Sequence, residues 1–125
     1  AGANIQMGVG LDGRLGAWIA DASGYLVNNL ASTGDALSTT TWYHVALVRD
    51  YSASTVTWFI DGTASGQATS VTGNVAFTTS PAHCLGAYGD GTLPFHGYID
   101  EFRITNGQAV YTEDFTAPTA AFPNS

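Results

Sequence analysis

The chain contains no lysine, and its three arginines face ten acidic residues, for a formal net charge of −7. Nucleic-acid binding relies on clustered Lys and Arg to displace counterions from phosphates, so this composition argues against it. The same charge argues against docking on an anionic membrane and is compatible with a bound calcium ion. Cys84 is the single cysteine, which leaves no intrachain disulfide and no cysteine metal cluster. It reads as a small buried hydrophobe on a strand rather than a reactive thiol. No apolar run approaches the ~18 residues of a membrane-spanning helix, and no basic-then-apolar signal segment opens the chain. Charged residues are only 10% of the total, against about 25% in ordinary globular chains. Helical periodicity is almost absent as well.

Apolar residues make up 45% of the 125 positions, enough to bury the core of one domain. The dominant pattern is alternation punctuated by turn signals. Ile5, Met7, Val9 and Leu11 alternate with Gln6, Gly8 and Gly10. Asp12-Gly13 then predicts a two-residue hairpin turn, with Leu15, Ala17 and Ile19 alternating on the return and Trp18 on the opposite face. A second meander predicts strands over Trp42–Arg49 and Thr55–Ile60, joined by a loop over Asp50–Ser54. Asp61-Gly62 supplies the next tight turn, and Thr63–Thr69 a third, more polar strand. On the middle strand Val56, Trp58 and Ile60 share one face, and Thr55, Thr57 and Phe59 the other. Short strands at this spacing indicate a sandwich or barrel.

Gly97–Ile104 also reads as a strand, but Ile99, Phe102 and Ile104 cannot all face one side of a regular one. A β-bulge near Asp100-Glu101 is expected there, re-aiming the two carboxylates. Residues 106–125 hold two of the four prolines and read as a turn and extended tail anchored by Tyr111, Phe115 and Phe122.

Four segments occur in a telling order: Trp42-x-His44-Val45-Ala46, Phe59-Ile60-Asp61-Gly62, Gly97-Tyr98-Ile99-Asp100-Glu101-Phe102-Arg103-Ile104 and Tyr111-Thr112-x-x-Phe115-x-x-Pro118. Together they resemble the second half of a laminin-G-like, concanavalin-A-like jelly-roll domain, over roughly residues 5–123. The resemblance implies an all-β antiparallel jelly-roll sandwich in which residues 1–125 form a single domain. It also implies that this is the C-terminal two-thirds of such a domain, lacking its N-terminal strands, or that a neighbouring chain completes the sheet. The closing motif is most similar to versions found in phage and environmental virion proteins, except that Val110 stands where those carry arginine.

The carboxylates are the natural place to look for catalysis. Related jelly-roll glucanases carry Glu-x-Asp-x-Glu, which points three acids from one strand into a sugar cleft. Retaining hydrolysis needs two carboxyls ~5–5.5 Å apart. Asp100 and Glu101 are sequence neighbours, which a regular strand sends to opposite faces, and no third acid accompanies them. No catalytic residue is expected, and the chain reads as a non-enzyme. Asp100 is the candidate calcium ligand that the resemblance implies, with carbonyls needed to complete the shell. The competing reading pairs Asp100 and Glu101 with Arg103 or with loop amides.

His44, His83 and His96 show no metal-ligand spacing, and His44 reads as a packed, hydrogen-bonded strand residue. Gly86–Gly91 precedes no helix and therefore fails as a phosphate loop. The loop from Tyr88 to His96 is the preferred ligand site, with Tyr88, Asp90, Gly91 and His96 as the candidate residues. Glycines admit close backbone approach, while an aromatic face and fixed polar groups suit a sugar. The plainer reading is a hairpin loop whose Asp-Gly serves turn geometry. Trp18, Trp42 and Trp58 read as packing residues ahead of a stacking platform. The expected role is a lectin-like or structural module, extracellular or in a virion, whose partner is a glycan, a neighbouring assembly protein or a second copy. A carbohydrate-binding module of a secreted enzyme or adhesin is the alternative, and a glycoside hydrolase is less favoured.

Overall fold

The computed structural model describes residues 4–75, 84–88 and 91–123. The described residues form six strands: β1 (Asn4–Val9), β2 (Leu15–Asp21), β3 (Gly24–Ala31), β4 (Val45–Asp50), β5 (Thr55–Ile60) and β6 (Thr63–Ala68). They form two antiparallel three-stranded sheets, ordered β1-β2-β3 and β4-β5-β6. The described residues contain no helix.

The sheets meet face to face. Ile19 and Val27 from the first sheet pack with Val56 from the second and with Val71. A second cluster joins Leu15 and Ala17 to Trp58. Ile5, Met7 and Val9 pair in register with Ile19, Ala17 and Leu15, so all six share the inward face. Only the β2 members are covered; Ile5, Met7 and Val9 on the edge strand stay exposed.

Turn chemistry explains the two tight connections. Between β5 and β6, Asp61 and Gly62 take φ values of 50° and 84°, and Ile60 pairs directly with Thr63. Two successive positive φ values make the two-residue hairpin turn expected of Asp-Gly. The β1–β2 connection differs from expectation. Gly13 donates to the Gly10 carbonyl at 2.9 Å and Gly10 to the Arg14 carbonyl at 2.8 Å, and Gly13 has a φ of 75°. This is a longer loop over Leu11–Gly13, because Asp12 spends its carboxylate on the Arg14 amide (3.1 Å) and does not itself turn left-handed.

Four further readings are corrected. β4 begins at Val45 rather than Trp42. β3 carries no clear strand signal in the sequence, since Asn28 and Asn29 interrupt its alternation. Its ladder with β2 carries register shifts between Ala17 and Ile19 and again between Ile19 and Ala20. Gly97–Ile104 forms no strand, hence no bulge: no described strand pairs with it, and Tyr98, Ile99, Phe102 and Ile104 are exposed. Strand preference is a preference for a pleated, half-buried surface, and this segment has no ladder partner to supply one. Cys84 is exposed and lies outside the strands, not buried on one.

The C-terminal segment covers the outer face of the second sheet. Tyr111 and Phe115 stack at 3.6 Å between ring centroids, and Phe59 meets both, at 6.3 and 5.4 Å. Phe115 donates its amide to the Gly62 carbonyl (2.8 Å), and the Asp114 carboxylate accepts from the Ala64 amide (2.8 Å). A Cβ at Gly62 would collide with the Phe115 carbonyl oxygen. β5 is therefore buried on both faces, with Val56, Thr57, Trp58 and Phe59 all inside.

Candidate ligand-binding site

The loop expected to bind a ligand is closed by main-chain hydrogen bonds. Phe95 donates to the Gly86 carbonyl (2.8 Å), Tyr88 to Thr92 (2.8 Å) and Gly91 to Tyr88 (2.7 Å). Gly91 has a φ of 82°. The Tyr88 hydroxyl accepts from Gln6 Nε2 on β1 at 3.3 Å, and the residue is 45% exposed. His96 is exposed and follows the closing Phe95–Gly86 bond. Asp90 lies outside the described residues, as does His83.

The acidic pair is engaged with main chain. Asp100 Oδ1 accepts from the Glu101 amide at 2.9 Å, and Glu101 Oε2 accepts from the Phe122 amide at 2.6 Å. Glu101 takes a φ of 51°, which turns the chain at this point. Arg103 ignores both carboxylates: it donates to Thr105 Oγ1 (3.0 Å) and lies 5.2 Å over the Phe122 ring. The amide-capping reading of Asp100 and Glu101 is the one the geometry matches. Asp100 offers at most two of the six to eight oxygens that calcium takes, and no group of three acidic, His or Cys side chains converges among the described residues.

His44 is half-buried, with its ring edge-on to Tyr111 and Phe115 at 6.2 and 5.6 Å. Its main chain exchanges two bonds with Asp61, the amide to Oδ1 and the carbonyl from the Asp61 amide, each 2.8 Å. The packing is as expected, but the buried Nδ1 has no hydrogen-bond partner.

The tryptophans divide. Trp58 is fully buried and Trp18 half-buried, whereas Trp42 is 66% exposed and meets Tyr98, 86% exposed, at 6.5 Å and an interplanar angle of 38°. Placing Trp42 among packing residues was therefore an error of face. It precedes the first ladder pair of β4, so no strand alternation governs its direction. Nothing in the sequence links it to Tyr98, because both residues lie in irregular chain outside the strands, where no ladder register relates them.

An antiparallel β-sandwich with loops and exposed aromatic rings at its margins defines a lectin-like class of fold. The chain belongs to the concanavalin A-like lectin/glucanases superfamily, whose laminin G family model matches residues 1–113. That superfamily includes both binding proteins and enzymes. Comparison with curated proteins finds no match. Among solved structures, an S-layer domain-containing protein from Clostridium thermocellum is similar at 21% identity and a TM-score of 0.43. The match covers 90% of this chain and 52% of that one, so this chain spans about half its length.

Proposed function

We propose that this domain is a non-catalytic, lectin-like module of an extracellular assembly that binds neutral glycans through exposed aromatic rings. The observation that carries the reading is the Trp42–Tyr98 pair, two accessible rings in contact beside a rigid sandwich. Sugar C–H faces stack on such rings, and aromatic contact area comes at low conformational cost. Tyr88 adds a third accessible ring. Superfamily membership supports the class of ligand. The use of Asp100 and Glu101 as amide acceptors supports a binding rather than a hydrolytic role. A phage virion is the assembly we favour, on the strength of the Tyr111-Thr112…Phe115…Pro118 ending.

Glycan-array screening of the whole chain tests this reading, with Trp42→Ala and Tyr88→Ala as variants. Saturable binding lost in Trp42→Ala supports the aromatic platform; loss in Tyr88→Ala alone moves the contact to the loop. Hydrolysis of any β-glucan on the array would overturn the non-catalytic assignment. Calcium, where bound, would take the Asp100 carboxylate as one ligand and main-chain carbonyls for the rest of its shell. A rise in Tm with calcium that Asp100→Asn removes supports that role, and no shift rejects it.

A structural role in contact with a neighbouring subunit is the second reading. It is favoured by Ile5, Met7 and Val9, which present an apolar stripe on β1, a strand that pairs only with β2 among the described residues. Light scattering of the chain with Met7→Glu distinguishes the two: a self-associating wild type made monomeric by the charge supports subunit contact.

A further inference from the structure

A hollow of about 380 Å³ opens at one margin of the sandwich, between residues 33–37 and the start of β6. Leu37 and Ile60 supply apolar wall, Tyr43 contributes its ring, and Thr33, Asp35 and Thr63 bring hydroxyls and a carboxylate. Leu37 and Ile60 also pack against the Leu15–Ala17–Trp58 cluster, so the apolar side is anchored in the core.

The loop that forms one side is fastened at four places. Thr33 donates its amide to the Ser65 carbonyl (3.3 Å), and Ser65 Oγ donates back to the Thr33 carbonyl (2.8 Å). Arg14 Nε reaches the Gly34 carbonyl at 3.0 Å. The Leu37 amide donates to the Gly13 carbonyl at 2.9 Å. Finally, the Ser38 amide donates to the Tyr43 hydroxyl at 3.0 Å, which fixes the phenol end of the ring. Loops held this way lose little entropy when a ligand arrives. The hollow is within the size range of small-molecule sites and mixes apolar wall with a few convergent polar groups.

Its chemistry narrows the ligand. The lining contains no cationic side chain, and the chain as a whole carries −7, so phosphate, sulfate and carboxylate groups would be repelled. A largely apolar molecule would strand the Asp35 carboxylate and the threonine hydroxyls without partners. A pyranose ring satisfies both halves: its C–H face meets Tyr43, Leu37 and Ile60, and its hydroxyls donate to Asp35 and exchange bonds with Thr33 and Thr63. Asp35 itself is exposed, so it can meet a ligand arriving from solvent without first breaking a buried contact.

From this geometry we infer that the hollow bounded by Asp35, Tyr43 and Thr63 is a second binding site for one neutral hexose unit of a glycan, separate from the Trp42–Tyr98 platform. The inference rests on the reading of the domain as a glycan binder and adds a site that the exposed rings do not supply. Two sites on one small domain would let it grip an extended chain at two points, raising apparent affinity without deepening either one.

The test is saturation-transfer NMR and calorimetry on the whole chain with maltotetraose, cellotetraose, mannotetraose and lactose, and with sialyllactose as the charged arm. Asp35→Asn and Thr63→Val probe the hollow, and Trp42→Ala the platform. The expected result is that Asp35→Asn weakens a neutral sugar by about tenfold or more at unchanged Tm, with a smaller loss in Thr63→Val and residual binding in Trp42→Ala. Wild-type binding unaffected by Asp35→Asn and Thr63→Val overturns the hollow while leaving the glycan reading intact. No neutral sugar binding to the wild type overturns both. Preference for sialyllactose overturns the neutral-sugar assignment.

Discussion

Trp58 Nε1 donates to the carbonyl of Leu30 at 2.9 Å, so one indole on β5 closes a hydrogen bond to the opposite sheet. The ring is fully buried and packs on Leu15 and Ala17. It therefore serves two purposes at once: it fills the space between the sheets and satisfies a β3 carbonyl that would otherwise be turned inward unpaired. Trp58→Phe keeps an aromatic ring but deletes the donor and leaves a void. Destabilisation of about 2–4 kcal/mol is expected. Urea unfolding checks it: the midpoint should fall with the slope unchanged.

Gly62 holds the C-terminal segment in place as well as making the turn. Gly62→Ala meets two obstacles, a φ of 84° and the Phe115 carbonyl oxygen where the methyl would sit. A loss exceeding roughly 1 kcal/mol is expected from the positive φ alone. The collision should also lift Phe115 from the sheet and expose Phe59. Limited proteolysis reads this directly, as faster cleavage within residues 107–123 than in the wild type.

Arg49 works through main chain rather than through an acid. Its guanidinium donates to the carbonyls of Asp50, Thr55, Val71 and Gly73, and it lies 5.4 Å over the Tyr51 ring. The Val71 and Gly73 contacts bind the chain after β6 to the β4–β5 hairpin, beside the core position of Val71. Arg49→Met should cost about 2 kcal/mol. Arg49→Lys should recover only part of this, since one ammonium cannot span carbonyls that a planar fork reaches together. Hydrogen exchange in residues 71–75 should rise in both variants, more in the Met one.

Asp50 ties stability to acid pH. The Ala53 amide, which donates to Oδ1 at 3.0 Å, is the main cause holding this carboxyl below its ordinary value of 3.8; desolvation opposes it, and Ser52 and Arg49 add smaller lowering contributions. A depressed folded-state pKa means the stabilisation is fully present above the unfolded value and is lost as pH falls through the folded one. The affected window therefore begins near 3.8 and extends downward. Asp50→Asn should flatten that part of the curve of stability against pH and leave neutral-pH unfolding with a weaker β4–β5 loop. Denaturant midpoints measured across that range check both effects.

Local features were readable from residue order alone. The meander from β4 to β6 follows from alternation and from Asp61-Gly62, a pair whose turn needs only its own two left-handed residues. Tyr111 and Phe115 were recognisable as anchors because aromatic rings in a polar tail have few other uses. Thr57 illustrates where this reading stops: a polar side chain on the expected outer face is nonetheless buried, its Oγ1 accepting from Gln67 Nε2 at 2.8 Å. Its polar partner is Gln67 on the neighbouring strand, which only the ladder brings alongside.

Sequence alone determined the all-β class, the sandwich and the approximate strand positions in the second sheet. Periodicity and turn chemistry act between near neighbours, so they survive without knowledge of the fold. Tertiary structure decided the rest. It buried Trp58 and exposed Trp42, engaged Asp100 and Glu101 with amides, left Gly97–Ile104 without a ladder, and gathered Asp35, Tyr43 and Thr63 around one hollow. Each of these depends on what stands opposite a residue in space, and no local pattern of side chains encodes that.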